Sequence, residues 1–181
     1  MNSKKVLIIY YSLNATTPGT TRTLEHGNTK TMALLLKSHF PNCTELELKP
    51  KIPYPTEYEE MAKICTEQFE QKQNVEIAEL ESIPNIKEYD VIFIGFPIWF
   101  GTYPLLFNDF FSKTTKSDWK DKKVCVFCTF GQSGIGNSIV DLKKQFNEEI
   151  NIVSKLEVIN EQMGNASSIT DEWVNSLKDL I

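Results

Sequence analysis

The sequence predicts an α/β protein with a doubly wound, five-stranded parallel sheet and helices on both faces. Three observations carry that prediction. Apolar runs at residues 6–9, 91–94 and 124–130 lack polar alternation, as strands buried on both faces do. Stretches with apolar residues at helical spacing lie between them. No linker, repeat or low-complexity tract interrupts the strand–helix order, so residues 1–181 read as one domain.

The first strand is read at residues 5–11. The segment after it is rich in threonine and broken by Pro18 and Gly19, which marks a loop. Asn28 is a natural N-cap for a helix whose Met32, Ala33, Leu36 and Phe40 share one face, and Pro41 stops it. Leu46 and Leu48 point the same way in a short strand at 44–48. Pro50, Pro53 and Pro55 make the next stretch irregular. Thr56 and Glu59 form a capping box, and Tyr58, Met61, Ala62, Cys65 and Phe69 line the helix behind it. A polar connector at 72–89 leads to the third strand, which ends in Gly95. Pro104 opens a helix at 104–111. The fourth strand is read at 123–129, with a helix at 137–146 carrying Ile139, Leu142 and Phe146 on one face. A fifth strand at 155–159 and a helix at 169–180, faced by Trp173, Leu177 and Leu180, close the chain.

A net charge of −5 and a pI near 5.2 leave no basic stripe to neutralise phosphates, which argues against nucleic-acid binding. They suit a cationic protein partner. No apolar stretch is long enough to span a membrane, and the run after Lys4 and Lys5 is too short for a signal peptide. Cys125 and Cys128 match C-x-x-C, but three residues apart on a strand they face opposite ways. With Cys43 and Cys65 they read as reduced thiols in a cytoplasmic protein.

In such a sheet the loops after strands one, three and four share the carboxyl edge, where open α/β sheets bind ligands. The first ends in Gly27-Asn28-Thr29 at a helix start, which favours an anion, with hydroxyls from Ser12 and Thr29 as added donors. The second holds Pro97, Ile98, Trp99, Phe100 and Gly101, with an aromatic suited to stacking on a flat ring. The third runs from Thr129 and Phe130 through Gly131, Ser133, Gly134 and Gly136. Each loop alone also reads as a helix cap, a core cover or a turn; together they read as one ligand site. Neither common nucleotide motif fits. Asn28 stands where a Walker lysine belongs, and the glycines of the third loop follow the wrong strand in reversed spacing. No side chain stands out as nucleophile, general base or metal ligand.

Over nearly its whole length the chain resembles the flavodoxins and flavodoxin-like proteins. The resemblance rests on Val6-Leu-Ile-Ile-Tyr-Tyr-Ser12, Gly27-Asn-Thr-Lys30, residues 89–101, and Gly131-Gln-Ser-Gly-Ile-Gly-Asn-Ser138. It implies strand order 2-1-3-4-5 and an FMN cofactor. By resemblance, Ser12, Asn28 and Thr29 hold the phosphate. Pro97, Ile98, Trp99, Phe100 and Gly101 flank the isoalloxazine, and Thr129, Phe130, Gly131 and Ser133 form a third wall. The first loop is longer than in typical flavodoxins, with residues 14–26 interposed and Arg22 and His26 as available charges. The fifth strand lacks a long insertion, as in the short-chain form. The implied function is a low-potential electron carrier serving redox partner proteins that present a basic face. The rival is an FMN-dependent NAD(P)H oxidoreductase passing hydride to a quinone or similar acceptor. A flavin-free binding module is a third class, which the intact loops oppose.

Overall fold

The computed structural model describes residues 4–14, 25–78 and 83–181. Five strands form one sheet: β1 (Val6–Tyr10), β2 (Thr44–Glu47), β3 (Val91–Pro97), β4 (Lys123–Phe130) and β5 (Ile152–Ile159). Their order is β2-β1-β3-β4-β5, and every neighbouring pair is parallel. The helices are α1 (Asn28–His39), α2 (Tyr58–Glu70), α3 (Leu106–Ser112), α4 (Ser138–Gln145) and α5 (Ala166–Ser176).

Alternation along the central strands makes two cores. Leu7, Ile9, Ile92, Ile94, Phe96, Val124 and Val126 face one, with Leu106, Phe107 and Phe110 of α3, Leu142 of α4, and Met61 and Cys65 of α2. Val6, Ile8, Tyr10, Phe93 and Phe127 face the other, with Met32, Ala33 and Leu36 of α1 and Trp173 of α5. Gly95 must be glycine because the Phe127 ring lies where a side chain would be. Cys125 and Cys128 fall in opposite cores, both free, and burial pushes each thiol up to about 12.

Several boundaries differ from the expected ones, each for a local reason. Gly27, not Asn28, is the N-cap of α1. Glu57, not Thr56, caps α2, accepting from the Glu59 and Glu60 N–H groups at 3.2 and 2.8 Å. The helix α3 starts at Leu106, after Pro104. Strand β5 begins earlier than expected, and as an edge strand it buries only Val158. A 3-10 turn at Asn160–Asn165 follows, so α5 starts at Ala166. The polar connector is anchored too. Val75 and Ile77 are buried, Ile77 pairs with Pro50 as an antiparallel bridge, and Asp109 of α3 accepts the Ile77 N–H at 3.0 Å. Phe69 and Tyr58, expected on the buried face of α2, are exposed. Among the described residues no helix is long and apolar enough to cross a membrane.

Candidate functional site at the carboxyl edge

All three loops emerge from the carboxyl ends of adjacent strands, and side chains tie them together. In the first, the Ser12 Oγ accepts the Lys30 backbone N–H at 3.1 Å. Gly27 lies so close to Ser12 and to the Leu13 carbonyl that a Cβ would stand 2.5 Å from that oxygen. Its φ of −62° and ψ of 153° are ordinary, so glycine is needed there for space and not for conformation. With glycine as N-cap, α1 has no side-chain cap among the described residues and no acidic residue in its first turn. Its N-terminal dipole thus faces the edge without a nearby carboxylate of its own turn.

Asn28 lies inside the first turn, and its Nδ2 donates to Asn160 Oδ1 at 2.8 Å, just beyond β5. Thr29 is buried and its Oγ1 lies 2.8 Å from Thr129 Oγ1, at the end of β4. Thr129 thus presents its hydroxyl to α1. Asn160 was not legible from the sequence as a partner of Asn28. The signal for it was positional, since it directly follows β5 at the same edge.

The second loop is a tight turn. Trp99 N–H donates to the Thr102 carbonyl at 2.9 Å, and Thr102 N–H to the Trp99 carbonyl at 3.0 Å. Phe100 and Gly101 between them have φ of 51° and 75°. Positive φ at both central positions is the type I′ pattern, which a phenylalanine adopts at a cost. The turn sends Phe100 outward, half exposed, where it stacks on Phe69 at 5.2 Å and 22°. It sends Trp99 inward, half-buried, edge-on to Tyr11 at 5.5 Å and 86° and to Tyr54 at 5.2 Å and 90°. Pro97 ends β3, and Ile98 N–H donates to the Thr129 carbonyl at 2.9 Å. The Tyr11 hydroxyl is buried without a partner among the described residues, and burial raises its pKa.

The third loop leans on the second. Asn137 N–H donates to the Gly101 carbonyl at 2.7 Å, and Gly136, with φ of 55°, lies against that same carbonyl. Gly134 also needs a positive φ, 63°, whereas at Gly131 a Cβ would meet only Asn160 Nδ2, at 3.9 Å. Phe130 is half-buried, and Gly131 and Ser133 are exposed at the rim. From β5, Glu157 accepts the Ile135 N–H at 3.2 Å, and the Lys155 ammonium 2.9 Å away holds its carboxyl below the usual range. Arg22 lies outside the described residues, as does most of the extended first loop. His26 faces Glu25 at 4.0 Å, and His39 pairs with Asp171 of α5 at 2.8 Å.

The edge thus offers hydroxyls and a helix N-terminus on one side and aromatic rings on the other. Among the described residues no cluster could hold a metal ion. That set suits a ligand with an anionic end and a flat end.

A family model described as flavodoxin matches residues 5–177. No curated protein matches. Among solved structures, a protein assigned as a flavoprotein from Bacteroides eggerthii is 25% identical, with TM-score 0.69, covering 96% of this chain and 98% of that one. A flavoprotein from Lactobacillus acidophilus in complex with FMN is 20% identical, with TM-score 0.64, covering 91% of this chain and 99% of the other. General stress protein 14 from Treponema denticola, in complex with FMN, is 12% identical, with TM-score 0.57, covering 98% and 99%.

Proposed function

The chain belongs to the flavodoxin family, and we propose that it binds FMN and carries electrons at low potential between cytoplasmic partner proteins. The observation that carries this reading is the Gly27 cradle. A backbone packed that closely against Ser12 and Leu13 sets the N-terminus of α1 beside the Ser12 hydroxyl, which accepts the Lys30 N–H, with Thr29 in the same first turn. A terminal phosphate is the group such a point rewards. The residues present fit FMN. Ser12, Asn28 and Thr29 would hold the phosphate; Trp99, Phe100 and the loop at 130–133 would enclose the ring system.

Bound FMN supplies the one- and two-electron chemistry, and the protein supplies the surroundings. Aromatic side chains at 99 and 100 keep water off one side of the ring. An acidic chain with an apolar pocket disfavours the negative charge that reduction adds, which lowers the potential. Along α2 and its cap the exposed carboxylates, Glu57, Glu59, Glu60, Glu67 and Glu70, outnumber the exposed ammonium of Lys63. That balance supports a redox partner with a basic face, bound more weakly as salt rises.

One observation favours the reductase instead. The half-exposed Phe69–Phe100 stack is a flat apolar surface on which a nicotinamide or quinone ring can lie. Two measurements separate the readings. Titrating apoprotein with FMN, FAD and riboflavin should give tightest binding for FMN; equal affinity for riboflavin would remove the phosphate assignment. Anaerobic NAD(P)H alone should leave the bound flavin oxidised; rapid bleaching with quinone turnover would make the protein a reductase.

A further inference from the structure

We propose that Thr129 is a positioning residue that selects phosphorylated flavin, acting through Thr29 and without itself touching the ligand; this rests on the FMN reading above. Thr29 and Thr129 are 2 % and 3 % exposed, and their hydroxyl oxygens are 2.8 Å apart. Among the described residues neither hydroxyl has another partner. Two hydroxyls sharing one hydrogen bond have one proton left over, and which oxygen carries it depends on the direction of the bond.

A phosphate settles that direction, because it only accepts. Ser12 illustrates the arrangement. Its Oγ already accepts from Lys30 N–H at 3.1 Å, so its proton is available to give away. Thr29, in the first turn of α1, reaches the same state when Thr129 donates to it. Each of the two phosphate-facing hydroxyls then receives one hydrogen bond from the protein and gives one to the anion. Thr129 belongs to β4, so its orientation is set by the sheet and not by the loop it serves. Its backbone carbonyl, meanwhile, accepts Ile98 N–H at 2.9 Å, which fixes the same residue to the ring-facing loop.

The isosteric change Thr129→Val removes the donor and keeps the volume. The expected result is an FMN affinity reduced about three- to tenfold, the size of one hydrogen bond between neutral groups. Riboflavin affinity should stay within about twofold, since riboflavin lacks the phosphate. Thr129→Ser should restore FMN binding, because it restores the hydroxyl. If Thr129→Val does not fold, Thr129→Ala gives the same ratio of affinities on a smaller side chain. A merely structural Thr129 predicts that both affinities fall together and that apoprotein melting falls with them; that outcome, or unchanged FMN affinity, overturns the proposal. Wild-type protein that binds riboflavin as tightly as FMN overturns the FMN reading along with it, and so distinguishes the two failures.

Discussion

The Trp99 indole stands perpendicular to the Tyr54 ring, with centroids 5.2 Å apart. Tyr11 meets the same indole edge-on at 5.5 Å. Two such contacts make Trp99 part of the core, while its half-exposed remainder lies at the ligand edge. Both roles should respond to substitution. Trp99→Ala should lower apoprotein stability by about 2–3 kcal/mol, less than a fully buried tryptophan would. It should also weaken FMN by about 1–3 kcal/mol and raise the flavin potential as water enters. Trp99→Phe should retain most of both. Apoprotein melting and flavin potentiometry read the two roles separately. A fall in melting alone would leave Phe100 or Phe130 as the stacking ring.

Beneath Trp99, the Tyr11 hydroxyl carries no hydrogen bond among the described residues. Burying an unpaired hydroxyl costs free energy, so removing it should cost nothing. Tyr11→Phe should leave apoprotein stability unchanged or raise it by up to about 1 kcal/mol. Urea midpoints of the two proteins test this. A clear loss of stability would mean that the hydroxyl has a partner in the native state.

Asp109 is nearly buried on α3, yet ionised. Burial works against its charge, but Ile77 N–H at 3.0 Å, Asn74 Nδ2 at 3.3 Å and Lys113 at 3.5 Å outweigh it and hold its pKa down. A carboxyl whose pKa is lower folded than unfolded adds stability above its unfolded value, near 4. That contribution disappears as pH falls through the lower, folded value. Asp109→Asn should therefore destabilise by about 1–3 kcal/mol at neutral pH, and the gap should close below about pH 4. Chemical denaturation of both proteins between neutral and acid pH tests it. A gap that stays constant to low pH would assign the effect to shape and not to charge.

The sheet was legible because three buried strands leave the same mark, an unbroken apolar run, and because parallel strands impose the order of loops along one edge. The thiols at 125 and 128 followed from strand alternation alone. What escaped was set by contacts between distant segments. Nothing local distinguishes Thr129 as a wall of the site from Thr129 as a partner of Thr29, since the two are 100 residues apart. Asn28 looks like a cap, but Asn160 takes its amide and Gly27 takes the cap position. Phe69 follows the helical spacing of a core residue and is drawn out instead by Phe100, whose positive φ no sequence rule anticipates for phenylalanine. The Asp109–Ile77 bond is likewise invisible, because the connector that carries Ile77 is polar and lacks periodicity.

Gly27 gives the sharpest test of the phosphate end. Its backbone lies in the extended region, so alanine meets no conformational penalty there. The obstacle is entirely steric. An added methyl would overlap Ser12 Oγ and stand 2.5 Å from the Leu13 carbonyl oxygen. The oxygen of Leu13 belongs to the backbone and cannot swing aside as a side chain does. The methyl must then push the segment at 12–13 away from α1, lengthening the 3.1 Å bond from Lys30 N–H to Ser12 Oγ. Thr29 should move less, because Thr129 holds it from β4. The expected outcome for Gly27→Ala is an FMN affinity lowered by about 2 kcal/mol or more, with riboflavin affinity changed much less. Apoprotein melting should fall only modestly, since the core residues of α1 are untouched. Titration of the variant with both flavins measures the difference directly. If FMN and riboflavin lose affinity equally, the methyl has disturbed the ring end, and the phosphate does not sit at the Gly27 cradle.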